Sequence, residues 1–382
     1  MSILGIAAFL GGAGVGYGAW KRNDIKRLFA VNALFSEKNI VTNFSNMDAI
    51  FFNTNLGVPD APASELLHEP KPMPHDLSGW IEDRSVTALV VLKDGKIAYE
   101  DYFKDTNPED LRISWSVAKS FLSALMGIIV ADGDITSIDE PATKYAKDLK
   151  GSAYEGATIR NVLNMASGVT FDEDYLSFSS DINKMGRVLA LGGSMDKFAA
   201  SLKRRDRDAG TGWQYVSIDT HVIGMIIRGA TGREIPELMA EKLLAPLGLE
   251  VDPLYLTDGK GVAFVLGGLN LRTRDYARFG QMFAQGGMYN GQQVVPAEWV
   301  TDSTAISAPT EAGETQYGFQ WWLAADAKPG EYFARGIYGQ YIYIDTDKNV
   351  VVASNAADRE FEEEGSYEQN LAMFREISTE LG

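Results

Sequence analysis

The segment 114–128, "SWSVAKSFLSALMGI", is apolar around nearly its whole circumference, and its spacing predicts a helix that ends near Gly133. Such a helix has no face suited to water. It must be enclosed by other elements, which places it at the centre of whatever the chain folds into. Polar side chains interrupt it. Ser116, Lys119, Ser120 and Ser123 stand at i, i+3, i+4 and i+7 and so share one narrow stripe. The stripe faces either water or a cleft, and the apolar remainder of the helix favours the cleft.

A serine hydroxyl is a weak nucleophile near neutral pH and needs a neighbour to take its proton. Lysine serves only if it is neutral part of the time, and burial among apolar groups lowers its pKa. The greasy helix supplies that setting for Lys119. The helix start adds free backbone N–H groups and the positive end of the helix dipole, both suited to a developing oxyanion. An S-x-x-K spacing alone is common by chance; its position on an enclosed helix just after a hairpin gives it weight.

The remaining composition excludes other chemistries. There is no cysteine among the 382 residues, which removes disulfides, thiolate metal sites and cysteine nucleophiles. The three histidines, His68, His75 and His221, form no spaced cluster, and no G-x-S-x-G occurs, so a histidine metal site and a Ser-His triad are both disfavoured. No cofactor and no metal is expected. A net charge of -17 argues against nucleic acid, which is bound through clustered Lys and Arg.

The first twenty residues carry no charge and are followed by Lys21 and Arg22. That length matches a bilayer span, so residues 1–20 are expected to form a membrane anchor, with a signal peptide as the alternative. Residues 21–80, with five prolines in "GVPDAPASELLHEPKPMPHD", read as an extended arm that wraps the domain. "TALVVLKDGKIAYEDYF" gives two β-rich runs joined at Asp94-Gly95, a hairpin signal. Strand patterns return at "YGFQWWL" and "YIYIDTDKNVVVASN", and "YEQNLAMFREISTEL" has helical spacing. The simplest assembly is an α+β sandwich, an antiparallel sheet flanked by helices. One lobe is built from 81–135 and 259–382, and a mainly helical lobe, 136–258, is inserted.

The ordered set "SWSVAKS", "IRNVLNMASGVTFDEDY", "GWQYVSIDTHVIGMIIRGATGR", "GGLNLRTRDYARFGQMF" and "GIYGQYIYID" resembles the penicillin-recognising serine hydrolases. Within them it is similar to the class C β-lactamase-related branch that includes 6-aminohexanoate-dimer hydrolase and esterases, from about residue 85 to the C-terminus. The resemblance implies a β-lactamase/transpeptidase-like fold, with Ser116 as nucleophile and Lys119 as its proton partner. It implies Tyr215, from a Y-x-N motif that here reads Y-x-S and ends in Ser217, as general base and acid. It puts a K-T-G-like triplet on Ile337-Tyr338-Gly339, with the N–H of Gln340 joining that of Ser116 as oxyanion hole. Tyr175, Asp181, Ser217, Tyr338 and Gly339 are the implied substrate contacts, and Arg335 is expected in a salt bridge.

With no lysine in the triplet, the carboxylate that β-lactams and D-alanyl peptides present lacks its anchor. The expected activity is therefore hydrolysis of short-acyl esters or linear amides through an acyl-enzyme. The competing readings are a β-lactamase or D-alanyl-D-alanine carboxypeptidase, and a catalytically silent, membrane-tethered binding protein. The expected partner is a small ester or amide, with membrane contact through 2–20. The resemblance implies a periplasmic catalytic domain, while the flank Lys21-Arg22 argues the other way.

Overall fold

Asp94 and Gly95 both take positive φ, 51° and 77°, and close a tight turn between strand β1 (Val86–Lys93) and strand β2 (Lys96–Tyr102). The expected hairpin forms in register, Lys93 opposite Lys96. In the computed structural model of the chain, which describes residues 27, 29–31, 33–57 and 63–382, this hairpin is one edge of a seven-stranded antiparallel sheet. The other strands come from far along the chain: β3 (Gln316–Tyr317), β4 (Trp322–Leu323), β5 (Glu331–Gly336), β6 (Gln340–Asp345) and β7 (Val350–Ala356). Their order is β2-β1-β7-β6-β5-β4-β3. β1 and β7, some 260 residues apart, pair along almost their full length.

Alternation along these strands sorts their side chains to two faces. Val90, Leu92, Ile342, Ile344, Val351 and Ala353 enter the main core. Leu89, Val91, Tyr341, Tyr343, Val350 and Val352 enter a second core with Leu77 and Trp80 of helix α1 (Leu77–Asp83). On the main-core side lie helix α2 (Ala118–Ala131), helix α3 (Ser217–Thr231) and helix α4 (Thr273–Ala284). The second core is closed by helix α5 (Ser366–Leu381), which contributes Leu371, Phe374 and Ile377.

Close packing here requires glycine at two points. A Cβ on Gly280 of α4 would lie 2.5 Å from Val351 Cγ1, and one on Gly127 of α2 would lie 2.3 Å from the ring of Trp299. The aromatic rings of Phe121 on α2 and Phe279 on α4 then stack at 3.6 Å.

Between residues 136 and 258 the chain is mainly helices and loops. The arm departs from the expected extended form: it contains the helix Ile40–Phe44, and Asn53–Asn55 is a strand. That strand joins a four-stranded antiparallel sheet with Leu254–Leu256, Leu269–Leu271 and Arg112–Ile113. The small sheet thus ties the arm, the helical part and the entry to α2 together. The apolar segment 1–20 lies outside the described residues. Among the described residues no helix is long and apolar enough to cross a membrane.

Candidate active site

Helix α2 is entered through a 3-10 turn, Trp115–Val117, and Trp115 there has φ 41°. A tryptophan in this left-handed region is strained, since its Cβ crowds the backbone. The turn ends β-strand Arg112–Ile113 abruptly and lifts Ser116 to the start of the helix. Ser116 is partly exposed, whereas Lys119, one turn on, is only 1% exposed. Lys119 Nζ donates to Ser116 Oγ at 2.7 Å and to the carbonyl of Leu266 at 3.0 Å. Burial pushes the ammonium down to about 7, opposed by the carboxylate of Glu173.

The polar stripe does not act as a unit. Ser120 and Ser123 are buried, and Ser120 Oγ donates to the carbonyl of Gln320 at 2.7 Å. Gln320 sits at φ 65°, accepts from Thr220 of α3 at 2.6 Å and donates to the carbonyl of Leu163 at 2.7 Å. This buried amide braces α2 against α3. Nothing in local spacing announced it.

The brace fixes Tyr215, two residues ahead of α3, over Lys119: the ammonium is 5.1 Å from the centre of the ring. The Tyr215 hydroxyl is hydrogen-bonded to Ser116. Burial holds the phenol well above its ordinary pKa, Glu173 raises it further, and the Ser116 bond and Arg335 pull against both. Its ring leans on Trp322 at 5.1 Å.

Ser217, next but one, is buried. Its N–H donates to Glu173 Oε1, and its hydroxyl donates to Glu173 Oε2 at 3.3 Å. Tyr175 is hydrogen-bonded to both Ser217 and Glu173. Glu173 was hidden in the sequence, where "FDEDYLSFSSD" reads as a solvated acidic run. Its burial follows from the path of the loop, which residue spacing does not encode. Asp181 stays apart from this group: it pairs with Lys184 at 2.8 Å and accepts the N–H of Asp172 at 3.1 Å, so its contacts lie within its own loop and helix.

The expected K-T-G-like position needs a correction. Residues 337–339 are the turn between β5 and β6, and Gly339, at φ 83°, lies against Ala356 and Asp358. The glycine that approaches the serine is Gly336, where a Cβ would stand 3.1 Å from Ser116 N and 2.8 Å from the carbonyl of Ser114. The strand triplet beside Ser116 is therefore Ala334-Arg335-Gly336, followed by Ile337.

Gln340 faces Gly336 in the ladder, and its side chain is buried, donating to Tyr338 O at 3.0 Å and Ala356 O at 2.8 Å. It braces the turn. Tyr338 stacks on Phe35 of the arm at 4.7 Å, within an aromatic group that includes Phe44, Trp115 and Phe361. Arg335 rests on the ring of Tyr367 at 4.8 Å in place of the expected salt bridge.

An S-x-x-K pair at the head of an enclosed helix, a tyrosine over the lysine and a glycine-ended strand beside the serine together define a hydrolase of the penicillin-recognising type. The match is also direct: the Beta-lactamase domain spans residues 80–372, and the chain belongs to that family. It is 30% identical over 302 residues to the 6-aminohexanoate-dimer hydrolase of Paenarthrobacter ureafaciens, covering 74% of this chain and 76% of that one.

Among solved structures, a provisionally named 6-aminohexanoate-dimer hydrolase from Bacillus anthracis superposes with a TM-score of 0.82 at 21% identity, covering 91% of this chain and 96% of that one. A class C beta-lactamase mutant gives a TM-score of 0.61 at 15% identity over 80% of this chain and 95% of its own. The expected β-lactamase/transpeptidase-like fold is the one observed.

Proposed function

We propose that the chain is a serine hydrolase that acts through an acyl-enzyme on Ser116 and turns over short-acyl carboxylic esters or linear amides. The observation that carries the reading is the 2.7 Å contact of Ser116 Oγ with a fully enclosed lysine whose ammonium burial brings down to about 7. Near neutral pH a useful fraction of Lys119 is then free base.

In this reading the proton of Ser116 passes to Lys119 as Oγ attacks the substrate carbonyl. The N–H groups of Ser116 and Ile337 take the oxyanion, a type of contact worth roughly 3–4 kcal/mol per donor. Tyr215, held as a neutral phenol, protonates the leaving group and recovers its proton from Lys119. Water repeats the sequence on the acyl-enzyme: its proton goes to Lys119, its oxygen to the acyl carbon, and Ser116 Oγ leaves reprotonated. The base role falls to Lys119 more than to Tyr215, because burial and Glu173 both oppose a phenolate.

On the substrate side, Ala334 stands where the family's strand lysine would meet a substrate carboxylate, and it is fully buried. This disfavours β-lactams and D-alanyl peptides. The 30% identical relative, named for a linear amide dimer, supports amides beside esters. The test is a panel of short p-nitrophenyl esters, 6-aminohexanoate dimer and a chromogenic cephalosporin, run with wild type and Ser116→Ala, together with fluorophosphonate labelling read by mass spectrometry. Ester or amide turnover, label on Ser116, and a loss of at least ~10³ in kcat for the variant are expected. Unimpaired turnover by Ser116→Ala would sink the reading, and efficient cephalosporin hydrolysis would replace it with a β-lactamase.

A further inference from the structure

Where the family motif has asparagine, this chain has Ser217, too short to reach a substrate with an amide of its own. The space is used differently. Both the N–H and the hydroxyl of Ser217 donate to one carboxylate, Glu173, which also bonds Tyr175. The head of α3 is therefore tied at Ser217 to the separate loop that carries Glu173 and Tyr175.

We infer that Glu173 is a positioning residue of the acyl-transfer site, an anion that clamps Ser217 and Tyr175 and whose charge faces Lys119. The inference rests on the acyl-enzyme reading above. Glu173 acts through its neighbours and touches none of the atoms that react.

The charges around it have a definite sense. Burial raises the Glu173 carboxyl above its ordinary value, and Lys119 of α2, the two Ser217 bonds and Tyr175 pull against it. Tyr215 and Asp219 lie at the start of α3, Tyr154 comes from the loop after the short helix Lys147–Leu149, and Tyr175 from the same loop as Glu173; each is pushed up by the Glu173 charge. Arg335 of β5 acts in the opposite sense on Tyr215.

Among these groups Lys119 is the cation whose charge reaches Glu173, without an ion pair between them, and the carboxylate favours the protonated form of the lysine. Glu173 thus trades basicity for order. Lys119 must give up its proton against the pull of the anion, so the free base appears at higher pH than burial alone would set.

The test is the pH dependence of kcat/KM for an ester substrate in wild type, Glu173→Gln, Glu173→Asp and Ser217→Ala, with thermal melts to show that each is folded. Glutamine keeps acceptor oxygen and removes charge. Its acid limb is expected to move to lower pH by about one unit, with kcat lowered by the weakened clamp. Glu173→Asp keeps the charge on a shorter stem, and its limb is expected to stay near wild type while kcat falls. Ser217→Ala loses the hydroxyl tie alone, so its limb is expected not to move.

A folded Glu173→Gln enzyme that titrates like wild type overturns the inference, as does a glutamine limb displaced to higher pH. Should glutamine fail to fold, a Glu173→Asp limb displaced to lower pH overturns it, and a retained limb with reduced kcat supports it. Fluorophosphonate labelling of wild-type Ser116 separates the two levels. If wild type is labelled and the limbs coincide, only the role of Glu173 falls; an unlabelled wild type removes the acyl-enzyme reading itself.

Discussion

Lys119 is the residue on which the chemistry and the cost of the site meet. Its enclosure makes the ammonium a base near neutral pH, and the same enclosure opposes carrying the charge. Activity is accordingly expected to fall as pH drops below about 7, where Lys119 becomes protonated; a pH–rate profile of kcat/KM checks this, and a flat profile from pH 5 to 8 would contradict it.

Asp219 makes the complementary case. It is fully buried, with Oδ1 accepting from Tyr154 at 2.7 Å and Ser167 at 2.9 Å, and burial pushes it up to about 7 from an ordinary 3.8. A carboxyl raised on folding favours the native state fully below 3.8, and that contribution is lost as pH rises through about 7. Asp219→Asn keeps the acceptor oxygen without the charge, so it is expected to melt several degrees higher than wild type at pH 8, with the gain shrinking toward pH 4. Ser116 and Lys119 could be picked out from the chain because their spacing on one helix is local, and Tyr215 only through the family resemblance. Glu173, Asp219 and Gln320 could not. Their burial is decided by segments that arrive from elsewhere, and an acid in a loop looks the same whether it faces water or a lysine.

At the scale of elements, the decisive contact is β5 running beside the turn that carries Ser116. Gly336 makes it close, and a Cβ there would press on Ser114 O and Ser116 N. Gly336→Ala is expected to push strand and turn apart and lower kcat by about tenfold or more, since misaligned donors lose much of an oxyanion hole's effect. Steady-state kinetics on a p-nitrophenyl ester measure it, and an unchanged kcat would argue that Ile337 N–H plays no part.

The hairpin at Asp94-Gly95 was legible, because positive φ restricts residue choice at such a turn. The register of the strand beside the serine was not: two glycines, Gly336 and Gly339, lie three residues apart, and only packing tells which one faces the nucleophile. The four-stranded sheet escaped for a similar reason. Its strands are two or three residues long, below the length at which alternation becomes a signal.

At the scale of the whole molecule, the arm belongs to the site. Phe35 stacks on Tyr338 at 4.7 Å and lies 5.7 Å from Trp115, so a segment from the beginning of the chain supports both the β5–β6 turn and the residue before Ser116. Phe35→Ala is expected to cost about 1 kcal/mol or more of stability through the lost aromatic contacts and to raise KM more than it lowers kcat. Denaturant unfolding and steady-state kinetics test this together, and wild-type values in both would show the arm to be ornamental.

The pairing of β1 with β7 has a further consequence, in time. Helix α2 and β1 leave the ribosome early, yet the strand that lies beside the turn at the head of α2, the glycine that completes its site and the strand that pairs with β1 belong to residues 331–356, some 200 residues later. At about 5–20 residues per second, synthesis of that span takes roughly 10–40 s. For that interval Ser116 lacks the strand that completes its site, and β1 lacks its partner β7. A chain stopped before β5 should therefore be inactive, and the unpaired edge of β1 should make it prone to aggregate.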